Sequence, residues 1–437
     1  MSVEELKAQQ ISASENLNAL RERVHQKRLP LQDTDVASYA SSLGRTAVSF
    51  SSTDLVCCRI LQGHAGKVYA LDWSNESNRI VSASQDGRLI VWNALTSQKT
   101  HYIKLPCAWV MTCAFSPGGQ SVACGGLDSV CSIFSLNSPS DQDGNLPVSR
   151  TLSGHRGYVS CCQYVPDGET HLITSSGDQT CILWDVTTGL KVSTFGGEFS
   201  SGHDRDVSRS QRDEGFDGGG GGRGGHWLRL RQCDVEEASE AVVEEASEVE
   251  AEAKEEWMVE AEMDTVVVLS ISKSNPKLFI SGSCDATARL WDTRTATRAT
   301  HTFHGHEGDV STVKFFPDGQ QFGTGSDDGS CRLFDIRTGH QLQAYYQELS
   351  DADVPTVTSI AFSVSGRLLF VGYSNRNCYI WDTIMARVVL DLGSLQNSHD
   401  DRVSCLALSA DGSALCTGSW DRNLKIWAFG GDRRVVV

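Results

Sequence analysis

The sequence predicts an all-β fold made of seven repeated four-stranded units, preceded by one amphipathic helix and interrupted once by a low-complexity insertion. Three observations carry that reading: a recurring Gly-His dipeptide, a hydrophobic-aromatic pair that closes each unit, and a single break in their spacing. The composition sets the frame. Of 437 residues, 38 are Lys or Arg and 55 are Asp or Glu, a formal net charge of −17. With 40% hydrophobic and 21% charged residues the chain has enough apolar surface for a core, which excludes wholesale disorder. Its acidity argues against a general nucleic-acid binder, which needs a basic surface to displace counterions from phosphate.

Residues 1–50 are expected to form a helix and a connector. The stretch 3–29 has no Gly or Pro and is rich in Glu, Leu, Ala, Gln and Arg. Placing Gln10, Leu17, Val24 and Leu31 at a positions puts Leu6, Ala13, Leu20 and Lys27 at d, a coiled-coil seam of about three to four heptads ended by Pro30. So narrow an apolar stripe buries too little to stand alone, so a partner helix is expected. The segment MSVEELKAQQ has neither the basic nor the apolar region of a secretory signal. No run of about 18 apolar residues appears. Ser2 stands where myristoylation requires Gly, and the chain ends RRVVV without a prenylatable Cys, so membrane attachment is expected only through a partner. The 15 Cys are scattered through apolar stretches with no C-x-x-C pair and read as reduced, strand-buried thiols.

Residues 51–430 hold the repeats. Gly-His occurs at Gly63-His64, Gly154-His155, Gly202-His203 and Gly305-His306, with Ser398-His399 as a variant. Seven hydrophobic-aromatic pairs follow: Val91-Trp92, Ile133-Phe134, Leu183-Trp184, Leu290-Trp291, Leu333-Phe334, Ile380-Trp381 and Ile426-Trp427. His64 lies 28 residues before Trp92, His155 29 before Trp184, His306 28 before Phe334 and His399 28 before Trp427. Six residues before each aromatic stands Asp86, Asp128, Asp178, Asp285, Asp328, Asn375 or Asp421. Short β-rich runs punctuated by Asp-Gly, Asn or Pro turns read as antiparallel meanders.

These motifs resemble the WD-repeat family, which implies a seven-bladed β-propeller with one unit per blade. The resemblance also implies a buried network in each blade, in which Asp accepts from His and a Ser links His to the Trp indole. The residues assigned to it are His64, Ser84, Asp86 and Trp92; His155, Ser176, Asp178 and Trp184; His306 and Asp328; and His399, Asp421 and Trp427. His, Ser and Asp together suggest a hydrolytic triad, but a catalytic device is built once and this one recurs per blade, so no enzyme is expected. His301, His304 and His306 lack supporting ligands, and neither a metal nor another cofactor is expected.

The helix, the connector and seven repeats together resemble the β subunits of heterotrimeric G proteins, of the plant type. Strings that carry this are Ala108-Trp-Val-Met-Thr-Cys-Ala, Cys124-Gly-Gly-Leu-Asp, Cys284-Asp-Ala-Thr-Ala-Arg-Leu-Trp-Asp and Gly418-Ser-Trp-Asp. The resemblance implies a parallel coiled coil between a γ subunit and Leu6, Leu17, Leu20 and Val24. It implies docking of a GDP-bound α subunit on Lys67, Tyr69, Lys99, Trp109, Met111, Leu127, Tyr158, Asp309 and Trp420, and release to downstream effectors through the same face. Ala65 and Arg156 stand where animal members carry Leu and Thr. The expected location is the cytoplasmic face of the plasma membrane, held there indirectly by a lipidated γ subunit. The alternative is a generic WD-repeat scaffold, such as a substrate adaptor of a ubiquitin ligase, which would fold without γ.

The insertion is read from the spacing: His203 to Trp291 is 88 residues, so blade four carries a surplus assigned to residues 204–264. Its first half includes Gly218 to Gly222 and lacks the Gly-Lys-Ser/Thr ending of a phosphate-binding loop. Its second half, 234–264, holds 14 acidic residues and one Lys and is expected to be disordered. Emerging beside a Gly-His turn, the insertion is expected to weaken α binding while the propeller still closes. Residues 431–437 form a short tail.

Overall fold

The computed structural model describes residues 54–429 apart from 106, 140–144, 167, 197–265, 296–297 and 348–353. The N-terminal helix, the insertion and the tail therefore lie outside the described residues, as do Leu6, Leu17, Leu20, Val24 and His203. The described strands belong to a unit formed by Met1–Gly196 and Asp264–Val437.

Within that unit there are seven four-stranded antiparallel sheets, the blades of a β-propeller. Blade one runs outward through Val68–Trp73, Arg79–Ser84, Arg88–Asn93 and Lys99–Lys104. The innermost strands of blades two to seven are Val110–Phe115, Val159–Tyr164, Val266–Ile271, Val310–Phe315, Val357–Phe362 and Val403–Leu408. The ring is closed by exchange: Leu55–Gln62, the first strand of the described chain, is the outermost strand of blade seven and pairs antiparallel with Asn423–Phe429. A ring closed in this way leaves no long inner edge to pair with another chain.

All seven inner strands begin with Val, and the sequence explains why. In blades two and four to seven a Gly in the second strand leaves room for the Val that opens the next blade. A Cβ on Gly125 would sit 2.6 Å from Val159 Cγ1, and one on Gly325 would sit 2.4 Å from Val357 Cγ1. Neighbouring blades thus bury their strands against each other. One core lies between blades one and two, with Val81, Val91, Val110, Phe115 and Phe134, and another between blades seven and one, with Leu71, Ile80, Trp92, Cys416 and Ile426.

The second residue of every inner strand is a bulge, because the register with the second strand shifts across it, as between Val68 and Ala70. A bulge frees its residue from the ladder and re-aims the side chain. In blades five to seven that residue latches blade to blade: Ser311 Oγ donates to Val357 O at 2.5 Å, Thr358 to Val403 O, and Ser404 Oγ to Val68 O at 2.5 Å. In blades one and two the bulged residues are Tyr69 and Met111 instead.

Candidate functional site

Strand alternation brings two kinds of loop to one end of the ring. The link entering each inner strand and the turn leaving each second strand share that end, and one backbone hydrogen bond joins them. The amide of the turn residue donates to the carbonyl of the residue before the inner strand: Gln85 to Lys67 at 2.9 Å, Gly177 to Tyr158 at 3.0 Å, Asp327 to Asp309 at 2.9 Å, Ser374 to Thr356 at 3.0 Å and Trp420 to Arg402 at 3.0 Å. These pairs line the mouth of the channel on one face.

Beneath that face the His network holds the links in place. In blade one, Asp86 Oδ2 accepts from His64 Nδ1 at 3.1 Å and from the Ala65 amide at 2.8 Å. In blade three the corresponding distances are 3.0 Å from His155 and 2.8 Å from the Arg156 amide, both to Asp178. His306 reaches Asp328 at 2.8 Å and His399 reaches Asp421 at 2.7 Å. Burial would raise the Asp178 carboxyl, but hydrogen bonds from His155, Thr180 and the Arg156 amide outweigh it and hold the group well below the usual carboxylate range. Asp328 is held down in the same way by His306 and Ser330, against the same opposing burial.

The hydroxyl that links His to Trp is not the one expected. Ser82 Oγ lies 2.7 Å from His64 Nε2 and accepts from Trp92 Nε1 at 2.8 Å, and Thr174 Oγ1 lies 2.7 Å from His155 Nε2 and accepts from Trp184 Nε1 at 2.8 Å. Thr417 does the same between His399 and Trp427. Ser84 and Ser176 sit two residues further along, on the same face of the strand but one pleat nearer the turn. There Ser84 Oγ accepts the Asp86 amide at 3.2 Å, and Ser176 Oγ accepts the Asp178 amide at 3.1 Å and donates to Gly157 O at 3.0 Å. They brace the Asp turn and do not touch the indole. The hydroxyl stands ten residues before the aromatic in blades one, three, four, five and seven, a spacing that identifies it in the sequence. In blade six that position is Val371, which offers no hydroxyl to the buried Trp381.

Of the residues assigned to the binding face, four come together. Lys67 Nζ stands 4.1 Å over the Trp420 ring, Tyr69 meets Trp420 edge-on at 6.3 Å, and Tyr69 stacks on Trp109 at 6.0 Å with 27° between planes. Trp109 is only 3% exposed and takes a left-handed φ of 68°, so it serves as the floor on which Tyr69 rests. Met111 and Leu127 belong to the adjoining bulge and turn of blade two. Tyr158, in blade three, has its ring over Gly177, where a Cβ would fall 2.4 Å from Cε1, and Asp309 lies on blade five. Lys99 stands on the outermost strand of blade one, and its side chain reaches back to Gly63 in the Gly-His link, with its ammonium 5.6 Å from the Trp92 ring and 5.7 Å from Tyr102. Lys191 repeats that arrangement over Trp184 in blade three. Sequence reasoning missed Arg402, whose guanidinium lies 4.9 Å over Trp420. Its position before an inner strand, matching Lys67 and Trp109, is the signal that finds it.

The opposite mouth of the channel holds a cavity of about 190 Å³ lined by Asp72, Trp73, Phe115, Gln163 and Lys273 among others. Two of its acceptors are used by the fold, since Asp72 accepts the Phe115 amide at 2.8 Å and Gln163 the Ile271 amide at 2.8 Å. The aromatic and cationic cluster around Trp420 is the site that gathers the residues assigned to a partner. Part-buried Trp and Tyr beside a few cations is the composition of a protein-docking hot spot.

Comparison with known proteins agrees over the whole chain. A family model described as G protein beta WD-40 repeat protein matches residues 13–214 and 245–428. Guanine nucleotide-binding protein subunit beta-1 of Nicotiana tabacum is 65% identical over 436 residues, spanning 100% of both chains. The subunit beta of Arabidopsis thaliana is 65% identical over 437 residues and that of Oryza sativa subsp. japonica 62% over 437, again spanning 100% of both chains in each pair. With the repeats, the closed seven-bladed ring and these full-length relatives in agreement, the chain belongs to the G protein β-subunit family of WD-40 repeat proteins.

Proposed function

We propose that this chain is the β subunit of a heterotrimeric G protein, which pairs with a γ subunit and binds a GDP-bound α subunit. The observation that carries the reading is the full-length identity of about two thirds to proteins named guanine nucleotide-binding protein subunit beta. The cluster of Lys67, Tyr69, Trp109 and Trp420 supports it with a physical mechanism. Apolar ring faces desolvate readily, while Lys67 and Asp309 set register by charge. By binding the switch segments of α in one nucleotide state, the subunit stabilises that state, and exchange of nucleotide frees the face for effectors. The role is binding, not turnover.

The γ partner is assigned to Leu6, Leu17, Leu20 and Val24 on the seam read from the sequence, and the plasma membrane is reached through the lipid on γ. The insertion at 204–264 replaces a link that in other blades borders the binding face, which supports a weakening of α binding. The experiment is co-expression of the full chain with a prenylated γ subunit. A stable, co-purifying pair, with the chain poorly soluble alone, is expected. A soluble chain that ignores γ would favour the generic scaffold instead.

A further inference from the structure

We propose that Arg402 is a positioning residue for the Trp420 anchor: its backbone and its guanidinium together fix the indole in the orientation that a partner meets. The inference rests on the reading of this face as the α-binding surface. Trp420 is held at its amide, which donates to Arg402 O at 3.0 Å, and over its ring, where Arg402 Cζ stands at 4.9 Å and Lys67 Nζ at 4.1 Å. Nothing polar fixes the ring from its own edge, because Trp420 Nε1 is buried and has no hydrogen-bond partner among the described residues. The rotation of the indole is therefore set by what stacks on it. Tyr69 touches it only edge-on, at 6.3 Å.

Arg suits this task better than Lys. A planar guanidinium stacks on an aromatic face over a broad area and is weakly hydrated, so it tolerates the partial burial it meets here. That burial pulls the pKa of the guanidinium below its usual value, against the opposing fields of Asp327, Tyr69 and Asp401. The Asp401 carboxylate accepts the Arg402 amide at 2.6 Å, and the Asp401 carbonyl accepts from Ser419 Oγ at 3.0 Å. The backbone at Asp401–Arg402 is thus tied to the turn that carries Trp420. An anchor ordered before binding spares the partner the cost of ordering it.

The test is a double-mutant cycle on the full chain with its γ subunit, titrated with GDP-bound α. Arg402→Ala is expected to weaken binding about 3- to 30-fold. In a Trp420→Ala background the same change is expected to have no further effect, because Arg402 acts through the indole. Arg402→Lys, which keeps charge without the plane, is expected to fall between the two. A second readout needs no α subunit. The ¹⁹F resonance of fluorotryptophan at position 420, assigned by its loss in Trp420→Phe, should shift and broaden in Arg402→Gln while thermal unfolding stays unchanged. Additive losses in the cycle would make Arg402 a direct contact and overturn the proposal, as would an unmoved resonance. If Trp420→Ala itself leaves α binding intact, the reading of the face fails instead, a separate outcome.

Discussion

Replacing Thr174 by Val keeps the shape of a fully buried side chain and removes one hydroxyl. That hydroxyl lies 2.7 Å from His155 Nε2 and accepts from Trp184 Nε1 at 2.8 Å. Both partners stay buried after the substitution, with His155 at 9% and Trp184 at 1% exposure, so neither regains water. An unsatisfied buried polar group costs about 1–3 kcal/mol, and two of them put the loss at about 2–6 kcal/mol. Thr174→Ser, which retains the hydroxyl, is expected to cost under about 1.5 kcal/mol for the missing methyl. Ser176→Ala loses only the brace on the Asp turn, about 1–2 kcal/mol. Urea unfolding of the full chain, followed by tryptophan fluorescence, reads these as shifts of midpoint at constant slope. If Ser176→Ala proved the more damaging, or Thr174→Val cost nothing, the assignment of the linking hydroxyl would be refuted.

Blade six offers the reverse experiment: Val371→Thr restores a hydroxyl ten residues before the buried Trp381 and is expected to raise stability by up to about 1 kcal/mol in the same assay, whereas a loss would mean that the indole is satisfied otherwise. Gly325→Ala drives a Cβ to 2.4 Å from Val357 Cγ1 and is expected to cost about 1–3 kcal/mol by overpacking the joint between blades five and six, read as a lower unfolding midpoint. The carboxyls of Asp86, Asp178, Asp328 and Asp421 are held below their usual range, each against burial and by its His. Their contribution is therefore complete above the unfolded value of about 3.9 and is lost as pH falls below it. An acid titration of unfolding should show that loss, with a shallower slope in Asp178→Asn. Deleting residues 204–264 is expected to tighten binding of GDP-bound α several-fold in a direct titration, and unchanged affinity would contradict the inhibitory role given to the insertion.

The blades were legible because their signals are local. A His and an aromatic 28 or 29 residues apart, with an Asp six before the aromatic, restate in one dimension the His–Asp bonds of blades one, three, five and seven. Ser84 and Ser176 were misassigned because alternation gives residues two apart the same face, and only the pairing of Ser82 opposite Ile90, beside Trp92, decides between them. Arg402 escaped because what joins it to Trp420 is a cross-strand carbonyl and a stacked ring, not a motif. The aromatic cluster itself joins blades one, two and seven. Tyr69 faces Trp420 only because Leu55–Gln62 closes the last blade onto the first, a long-range pairing with no counterpart in any local string. Lys99 was assigned by resemblance, and the fold brings its side chain from an outer strand to the Gly63 link, an arrangement that Lys191 repeats at Gly154.

The central claim is that this face distinguishes one nucleotide state of an α subunit. The most direct measurement titrates the chain, co-purified with its γ subunit, with α loaded with GDP and then with a non-hydrolysable GTP analogue, for wild type and Trp420→Ala. The account predicts tight binding of the GDP form, loss of binding on exchange, and a weakening of about 30-fold or more in Trp420→Ala, as expected of a hot-spot residue. Equal affinity for the two nucleotide forms, or a Trp420→Ala chain that binds as wild type does, would contradict it.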